Sequence, residues 1–293
     1  MRDFVIGISQ YAKTQKPGFI IIPQNGIELV TKTGGETGTP ATDYLKAIDG
    51  NGQEDLLFGY THDNLVTSVS TTQYLKTFLN ISKSAGKIIL ITDYCWDRNK
   101  MNASYVENNA FGYISFAANH RDLNNIPNWP LQPFRQNNKD ILRLSDAKNF
   151  LYLINPGNFA TKSGFIQAVK ATNYDVVIMD LFFNDGTAFS KYEINELKIK
   201  NNGAKRLVIC YLSIGEAENY RYYWKANWKA SPPSWLAGEN PNWPGDYKVK
   251  YWDPQWQAII YGNDSSYLHK IMTTGFDGAY LDIVDAFEYF EGK

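Results

Sequence analysis

The sequence predicts an α/β fold, namely a single (β/α)8 TIM barrel that occupies residues 1–293. Three observations lead to this prediction. Short runs rich in β-branched and aromatic residues recur about eight times, and segments with helical periodicity separate most of them, as in parallel βα units. Eight is the number of strands at which a parallel sheet closes into a barrel. No change in composition marks a linker between two domains.

Each predicted strand is short, and several are apolar throughout, as expected where helices cover both faces of a parallel sheet. The clearest example is the run Val-Val-Ile-Met that precedes Asp180. The eight strands are expected at residues 19–23, 44–48, 87–92, 112–117, 150–154, 176–181, 207–212 and 278–284.

The segments between these runs carry signals for helix starts and ends. Ser190 and Glu193 form the pattern of a capping box. Gly275 follows an apolar stripe at residues 267–272 and is suited to the left-handed position that ends a helix. Residues 4–12 predict an amphipathic N-terminal helix that covers the gap beside the last strand.

Two long segments rich in aromatic and polar residues are expected to form loops at the C-terminal face of the barrel. They lie at residues 219–264 and 119–143. Loops of this length in a compact domain are usually functional, for example as a substrate wall. Aromatic residues make up 15% of the chain. Sugar rings stack on such side chains, although a large barrel also uses aromatic residues to cover its rim.

Composition and charge exclude several classes of function. The formal net charge is −1, so no global field attracts nucleic acid or an anionic membrane. No apolar stretch approaches the roughly 18 residues that span a bilayer. The two cysteines, Cys95 and Cys210, lie in or beside apolar runs and are predicted to be buried free thiols.

Carboxylates are unusually frequent directly after the predicted strands. In a parallel barrel the polar residues at these positions converge on one mouth, where active sites lie. One or two such residues are ordinary helix N-caps, and this alternative is assigned first to Asp285, Asp93 and one of Glu216 and Glu218. The acidic residues at the strand ends are Glu54, Asp93, Asp180, Glu216, Glu218, Asp282 and Asp285.

Crowded carboxylates are suited to hydrolysis of a glycosidic bond. They raise one another's pKa values, so one carboxyl group keeps its proton while a neighbour stays ionised. Glycoside hydrolysis needs one acid to protonate the leaving oxygen and one carboxylate that acts as a nucleophile or activates water.

Other chemistries fit the sequence less well. The Gly-rich segment at residues 34–38 follows a polar stretch rather than a strand, so it predicts no phosphate loop. Ser213 lacks the flanking glycines of a nucleophile elbow. A divalent ion held by carboxylates stays open as an alternative, although no metal or cofactor is expected. The histidines are scattered without ligand spacing and lie at His62, His120 and His269.

Four long motifs carry a family resemblance. They are IIPQNG at residues 21–26, YLSIGEAENYRYYW at 211–224, WPGDYKVKYW at 243–252 and GFDGAYLDIVDAFEY at 275–289. Together they resemble the bacterial and archaeal branch of glycoside hydrolase family 114, a group of endo-α-1,4-polygalactosaminidase-like proteins. Weaker similarity covers nearly the whole chain. In the relatives, the stretch like residues 150–183 comes first and the stretch like residues 19–117 comes last, so this chain resembles a circularly permuted member.

The resemblance implies a (β/α)8 fold, a cleft for an amino-sugar polymer and a set of site residues. Asp282, in YLDIVD at residues 280–285, matches the catalytic Asp of the family well, and Glu54, in QEDLLF at residues 53–58, matches its catalytic Glu less closely. The candidate substrate-binding residues are Asp180, Tyr211, Glu216, Glu218, Arg221, Asp93, Asn25, Asp285, Trp243 and Tyr251.

The predicted function is hydrolysis of an amino-sugar polysaccharide, such as a cationic galactosamine polymer, by a monomer. The acidic strand ends suit this charge because local potential concentrates opposite charge. The resemblance favours a secreted, periplasmic or cell-surface protein whose leader is absent from this chain. Two alternatives stay open, namely a carbohydrate-binding barrel without turnover and a metal-dependent hydrolase of another substrate.

Overall fold

The computed structural model of the protein describes residues 1–291. Its strands are β1 (Ile20–Pro23), β2 (Gly50–Glu54), β3 (Ile88–Tyr94), β4 (Ile114–Ala118), β5 (Phe150–Tyr152), β6 (Val176–Met179), β7 (Leu207–Ser213), β8 (Glu216–Glu218), β9 (Leu236–Glu239), β10 (Asp246–Val249) and β11 (Gly278–Asp282). Its α-helices are α1 (Arg2–Gln15), α2 (Thr42–Ala47), α3 (Val69–Ser84), α4 (Arg98–Ala110), α5 (Lys162–Lys170), α6 (Lys191–Leu197), α7 (Pro254–Ile260), α8 (Tyr267–Thr274) and α9 (Ala286–Glu291).

Parallel strands form the centre of the fold. One sheet has the order β1-β11-β7-β6-β5, and a second has the order β2-β3-β4. A parallel bridge between Gln24 and Gly52 joins the sheets where β1 lies beside β2. At the other junction, the rings of Phe116 on β4 and Phe150 on β5 lie 5.7 Å apart. The predicted α/β class with parallel sheets is therefore confirmed.

Seven of the eight predicted strands coincide with observed parallel strands, and the strand predicted at residues 44–48 is wrong. That segment belongs to α2, which buries Tyr44 and Leu45. The observed strand is β2, six residues later, with the sequence Gly-Asn-Gly-Gln-Glu. A strand without apolar side chains gives no hydrophobic pattern, so hydrophobic periodicity predicts the strand at the nearest apolar run instead.

Space rather than hydrophobicity explains the sequence of β2. A Cβ atom at Gly52 would lie 1.9 Å from the hydroxyl oxygen of Tyr280. A Cβ atom at Gly50 would lie 2.6 Å from the carbonyl oxygen of Ile88. Glycine is required at both positions because neighbouring strands occupy the volume that a side chain would fill.

The predicted helix signals are confirmed. Ser190 and Glu193 make a complete capping box at α6, and Gly275 ends α8 with a φ of 102°. Helix α1 packs against α2 and α8. The hydroxyl group of Ser9 in this helix donates a hydrogen bond to the carbonyl of Ala47 at 2.6 Å.

The two predicted loop regions differ from each other. The segment at residues 119–143 contains neither helix nor strand in the described chain. The segment at 219–264 is only partly irregular, because it contains β9, β10 and α7. Strand β10 pairs antiparallel with β8, which places Lys248 opposite Glu216. This small sheet forms one wall above the ends of the parallel strands.

Two further expectations can be compared with the fold. Cys95 and Cys210 are buried free thiols, as predicted. Among residues 1–291, the helices are too short or too polar to cross a lipid bilayer.

Candidate active site

A cavity of about 330 Å³ opens at the C-terminal ends of the parallel strands. This cavity receives a side chain from the end of most of these strands, which is where active sites of parallel α/β folds lie. The strand-end residues that line it are Gln24 after β1, Glu54 on β2, Tyr94 on β3, Tyr152 on β5, Asp180 after β6, Ser213 on β7 and Asp282 on β11.

Asp282 is held at the last position of β11 by two neutral donors. The side-chain amide of Gln24 donates to its Oδ1 at 3.0 Å, and the hydroxyl of Tyr211 donates to its Oδ2 at 2.8 Å. Burial and, next, the negative charge of Glu54 together raise the pKa of Asp282 to about 8, although the hydrogen bond from Tyr211 opposes the shift. Asp282 therefore keeps a proton at neutral pH.

Glu54 is held at the end of β2 in a similar way. The amide of Asn25 donates to its Oε2 at 2.8 Å, and the Tyr94 hydroxyl donates to its Oε1. The guanidinium group of Arg121 lies 3.8 Å from the centroid of the Tyr94 ring and pairs with Asp55 at 2.8 Å. Donors on both oxygens stabilise the negative charge of Glu54.

The end of β1 links the two carboxyl groups, which we call the carboxylate pair. Strand β1 lies between β11 and β2. Gln24 binds Asp282, and the next residue, Asn25, binds Glu54. Asn25 has a φ of 56°, in the left-handed region that asparagine tolerates better than most residues. This turn of the backbone directs the two consecutive amides to different carboxylates.

A layer of tyrosines lies beneath the carboxylate pair. The rings of Tyr152 and Tyr280 meet edge to face with centroids 5.2 Å apart. The Tyr280 hydroxyl is buried against Gly52 and has no hydrogen-bond partner within the described chain. Burial raises the pKa values of both phenols well above 10, so these side chains are neutral. This floor removes solvent from Asp282, which is the main cause of its raised pKa.

A second acidic group in the cavity is paired with Arg221, and we call Arg221, Asp180 and Glu218 the arginine cluster. Arg221 donates to the two oxygens of Asp180 at 2.9 and 2.6 Å. It also donates to the two oxygens of Glu218 at 2.5 and 3.0 Å. All three side chains are buried. Bidentate pairing of this kind fixes the side-chain positions.

Further carboxylates give the cavity an acidic lining. Glu216 pairs with Lys248 at 2.6 Å. Burial, with nearby Glu218 and Glu216, raises the pKa of Asp246 to about 7. Burial, with the charges of Glu288 and Glu54, raises the pKa of Asp285 to about 6. Among the described residues, the lining contains seven carboxylates and two guanidinium groups.

The structure brings ten of the twelve predicted site residues to this cavity. Asp93 and Tyr251 lie elsewhere. Asp93 is fully buried and accepts hydrogen bonds from the Leu57 amide at 2.8 Å and the Ser104 hydroxyl at 2.6 Å. Tyr251 packs edge-on against Trp252 with ring centroids 4.9 Å apart. Neither side chain lines the cavity, so the substrate-binding prediction is corrected for both residues.

Several lining residues were missed from the sequence. Four of them, Gln24, Tyr94, Tyr152 and Ser213, occupy strand ends, so the rule that found the carboxylates would have found them had it included uncharged residues. The others lie on loops or on β10. The missed polar and aromatic residues are Gln24, Tyr94, Arg121, Tyr152, Asn155, Ser213, Tyr220 and Asp246.

Comparison with known proteins gives the family. The sequence model of glycoside-hydrolase family GH114 matches residues 132–293, which include Asp180, Tyr211 and Asp282. The chain belongs to family GH114. Glu54 and the Gln24-Asn25 turn lie outside the part of the chain that matches GH114.

Relatives of this GH114 chain include three uncharacterized proteins. MJ1477 of Methanocaldococcus jannaschii is 40% identical over 171 residues, which are 58% of this chain and 44% of that protein. A Deinococcus radiodurans protein is 38% identical over 128 residues, 44% of this chain and 39% of that protein. A Thermotoga maritima protein is 38% identical over 122 residues, 42% of this chain and 36% of that protein. The chain thus spans less than half the length of these relatives.

Proposed function

We propose that the protein is a glycoside hydrolase that cleaves an amino-sugar polysaccharide in the manner of an endo-α-1,4-polygalactosaminidase. The observation that carries this proposal is the carboxylate pair. Asp282 and Glu54 line one cavity, consecutive amides of β1 hold them, and the charge of Glu54 helps to raise the pKa of Asp282. Membership of GH114 supports the same reaction class.

The two carboxyl groups take different roles. Asp282, with a pKa raised to about 8, is the general acid that protonates the leaving glycosidic oxygen. Glu54, whose charge is stabilised by Asn25 and Tyr94, attacks the anomeric carbon or activates a water molecule for that attack. If Glu54 is the nucleophile, water then cleaves the glycosyl–Glu54 bond and its proton restores Asp282. If Glu54 activates the water, Glu54 takes the water's proton and releases it to solvent, and Asp282 regains a proton from solvent.

The acidic lining supports a cationic substrate. The whole chain carries a formal net charge of only −1, whereas the cavity lining has seven carboxylates and two guanidinium groups. A local negative potential inside a low-dielectric cleft concentrates positive ligands. A partly deacetylated galactosamine chain carries ammonium groups that fit this potential.

The proposal includes the closed form of the fold. Eight parallel strands within residues 1–291, with β1 beside β2 and β4 beside β5, support one closed (β/α)8 barrel over the chain. The circular permutation is part of the same proposal. The family match begins at residue 132, between β4 and β5. Because β1 pairs with β11, moving the chain ends would leave the cavity unchanged.

Conservative substitutions of the carboxylate pair test the proposal. We expect Asp282→Asn and Glu54→Gln each to lower the kcat for release of reducing ends from a deacetylated galactosamine polymer by about 10²- to 10⁴-fold. The melting temperature should not fall, because each amide keeps the shape of the side chain. Asp43→Asn and Glu107→Gln, at exposed positions on α2 and α4, are the matched controls.

Three outcomes would overturn the assignment. Full activity in either variant would remove that carboxylate from the mechanism. Binding of galactosamine oligomers by the unmodified protein without any product would favour a carbohydrate-binding barrel. Loss of activity after treatment with a chelator, and its return with a divalent ion, would favour a metal-dependent hydrolase.

A further inference from the structure

A second cavity of about 320 Å³ adjoins the cavity that contains the carboxylate pair. We call it the side cavity. The two cavities share part of their lining, so they are two compartments of one cleft. The shared residues are Ile154, Asn155, Asp180, Tyr220 and Arg221. Tyr220 and Arg221 form the partition between the compartments.

The partition is rigid. The four hydrogen bonds from Arg221 to Asp180 and Glu218 fix its guanidinium group. The Tyr220 hydroxyl donates to Glu218 at 2.6 Å, and its ring centroid lies 5.1 Å from the guanidinium carbon. The Tyr220 residue is nevertheless 63% exposed. An aromatic ring that is both fixed and exposed provides a surface for stacking at a low cost in side-chain entropy.

The far wall of the side cavity is also aromatic. The rings of Phe182 and Tyr222 lie with centroids 5.9 Å apart at a 36° tilt. Tyr222 is 43% exposed, although its ring packs edge-on against Tyr267 at 5.5 Å. Lys270 covers one region of the Tyr222 ring, with its Nζ 4.8 Å from the centroid.

Fixed amide groups line the same cavity. The Asn184 side chain donates to the carbonyl of Pro156 at 2.8 Å, and the Asn155 side chain donates to the carbonyl of Asp122 at 2.7 Å. Aromatic surfaces beside oriented polar groups are the combination that binds sugar rings, which have apolar C–H faces and polar rims. Asp180 and Arg221, which pair with each other, line both compartments.

We propose that the side cavity is a second saccharide-binding subsite. It holds a sugar unit of the same chain on the far side of the Tyr220–Arg221 partition from the carboxylate pair. This inference rests on the proposed function, because the occupant is part of the polysaccharide that the pair cleaves. It predicts that chains long enough to reach both compartments bind more tightly than short ones.

The test compares two lengths of ligand. In the Asp282→Asn background, which slows cleavage, calorimetry measures the affinity for a trimer and an octamer of α-1,4-linked galactosamine. We expect a further Tyr222→Ala substitution to weaken octamer binding about fivefold and to leave trimer binding unchanged. Tyr60→Ala is the matched control, because Tyr60 is 56% exposed and lines neither cavity.

A second variant distinguishes loss of the subsite from a folding defect that Tyr222→Ala could cause in the aromatic wall. Asn184→Ala, at an exposed loop position that lines only the side cavity, should weaken octamer binding in the same direction. Equal loss for both ligand lengths, or no loss for either, would overturn the subsite. If the native protein cleaves the octamer while Tyr222→Ala and Asn184→Ala bind it normally, only the subsite is wrong. If the native protein neither binds nor cleaves it, the proposed function fails and the subsite fails with it.

Discussion

The carboxylate pair and the arginine cluster are two acidic groups in one cavity that solve the problem of buried negative charge differently. In the cluster, one cation, Arg221, pairs with two carboxylates, Asp180 and Glu218, through four hydrogen bonds. In the pair, the hydrogen-bond donors to Asp282 and Glu54 are neutral amides and phenols. Burial raises the pKa of Asp180, and the charge and hydrogen bonds of Arg221 oppose that shift, whereas burial and the charge of Glu54 raise the pKa of Asp282 with no cation bound to it. The difference supports the proposed assignment of proton transfer to the pair and of a fixed structural role to the cluster.

Removal of the cation would test the cluster most severely. Arg221→Leu leaves the buried carboxyl groups of Asp180 and Glu218 without their cation, so we expect a loss of about 3–5 kcal/mol in the free energy of unfolding. Urea denaturation measures this loss. Arg143→Leu removes an arginine from an exposed pair with Asp146 and should leave the urea midpoint unchanged. A midpoint for Arg221→Leu equal to that of the native protein would show that the cluster is not a fixed charge group.

A change beneath the pair should have an intermediate effect. Gly52→Ala places a Cβ atom 1.9 Å from the Tyr280 hydroxyl, so we expect a loss of about 1–3 kcal/mol from overpacking and a lower kcat. Adding Tyr280→Phe removes the nearest clashing atom and should restore part of both quantities. No rescue in the double variant would place the strain elsewhere. Gly157→Ala, where φ is not positive and nothing lies within 4 Å of the added atom, is the control for the change of residue.

The pair should also give the protein a characteristic pH dependence. The pKa of Asp282 is raised from 3.8 to about 8, so the folded state holds a proton that the unfolded state loses. Its contribution to stability is complete below pH 4 and is lost as the pH rises towards 8. Activity should fall as the pH rises through about 8, because the proposed general acid, Asp282, then becomes ionised. Denaturation and rate profiles of native protein and Asp282→Asn check both effects, and identical stability profiles would contradict the assignment.

The smallest expected effect comes from the donor to Asp282. Gln24→Leu removes a hydrogen bond that favours the ionised form of Asp282, so the alkaline limb of the rate profile should move to higher pH. The melting temperature should change little. Gln73→Leu, at an exposed position on α3 outside the cavity, is the control for the change of residue. An unchanged limb would show that Gln24 does not act on Asp282.

Asp282 and its strand, β11, could be predicted from the sequence more completely than Glu54 and its strand, β2. Asp282 ends an apolar strand within the part of the chain that matches GH114, so pattern and motif agreed. Glu54 ends a strand of glycines and polar residues outside that match, and its strand was placed at 44–48. Glycine is required at position 52 because the side chain of Tyr280, distant in the sequence, occupies the space beside it. Hydrophobic periodicity carries no information about such contacts.

Position after a strand was also an incomplete guide to the site. Asp93 was expected directly after its strand but lies within β3, and its side chain accepts hydrogen bonds from Leu57 and Ser104 instead of lining the cavity. Side chains alternate between the two faces of a strand, so a shift of one residue separates a ligand contact from a structural one. The next residue, Tyr94, is the one that lines the cavity.

The two consecutive amides at the end of β1 make the halves of the carboxylate pair mechanically dependent on each other. One peptide unit separates Gln24 from Asn25, so a tilt of this turn that shortens one carboxylate contact must alter the other. An engineer who wishes to shift the working pH of this protein through one carboxyl group should therefore alter the phenol donors, Tyr211 or Tyr94, because each of these contacts a single member of the pair.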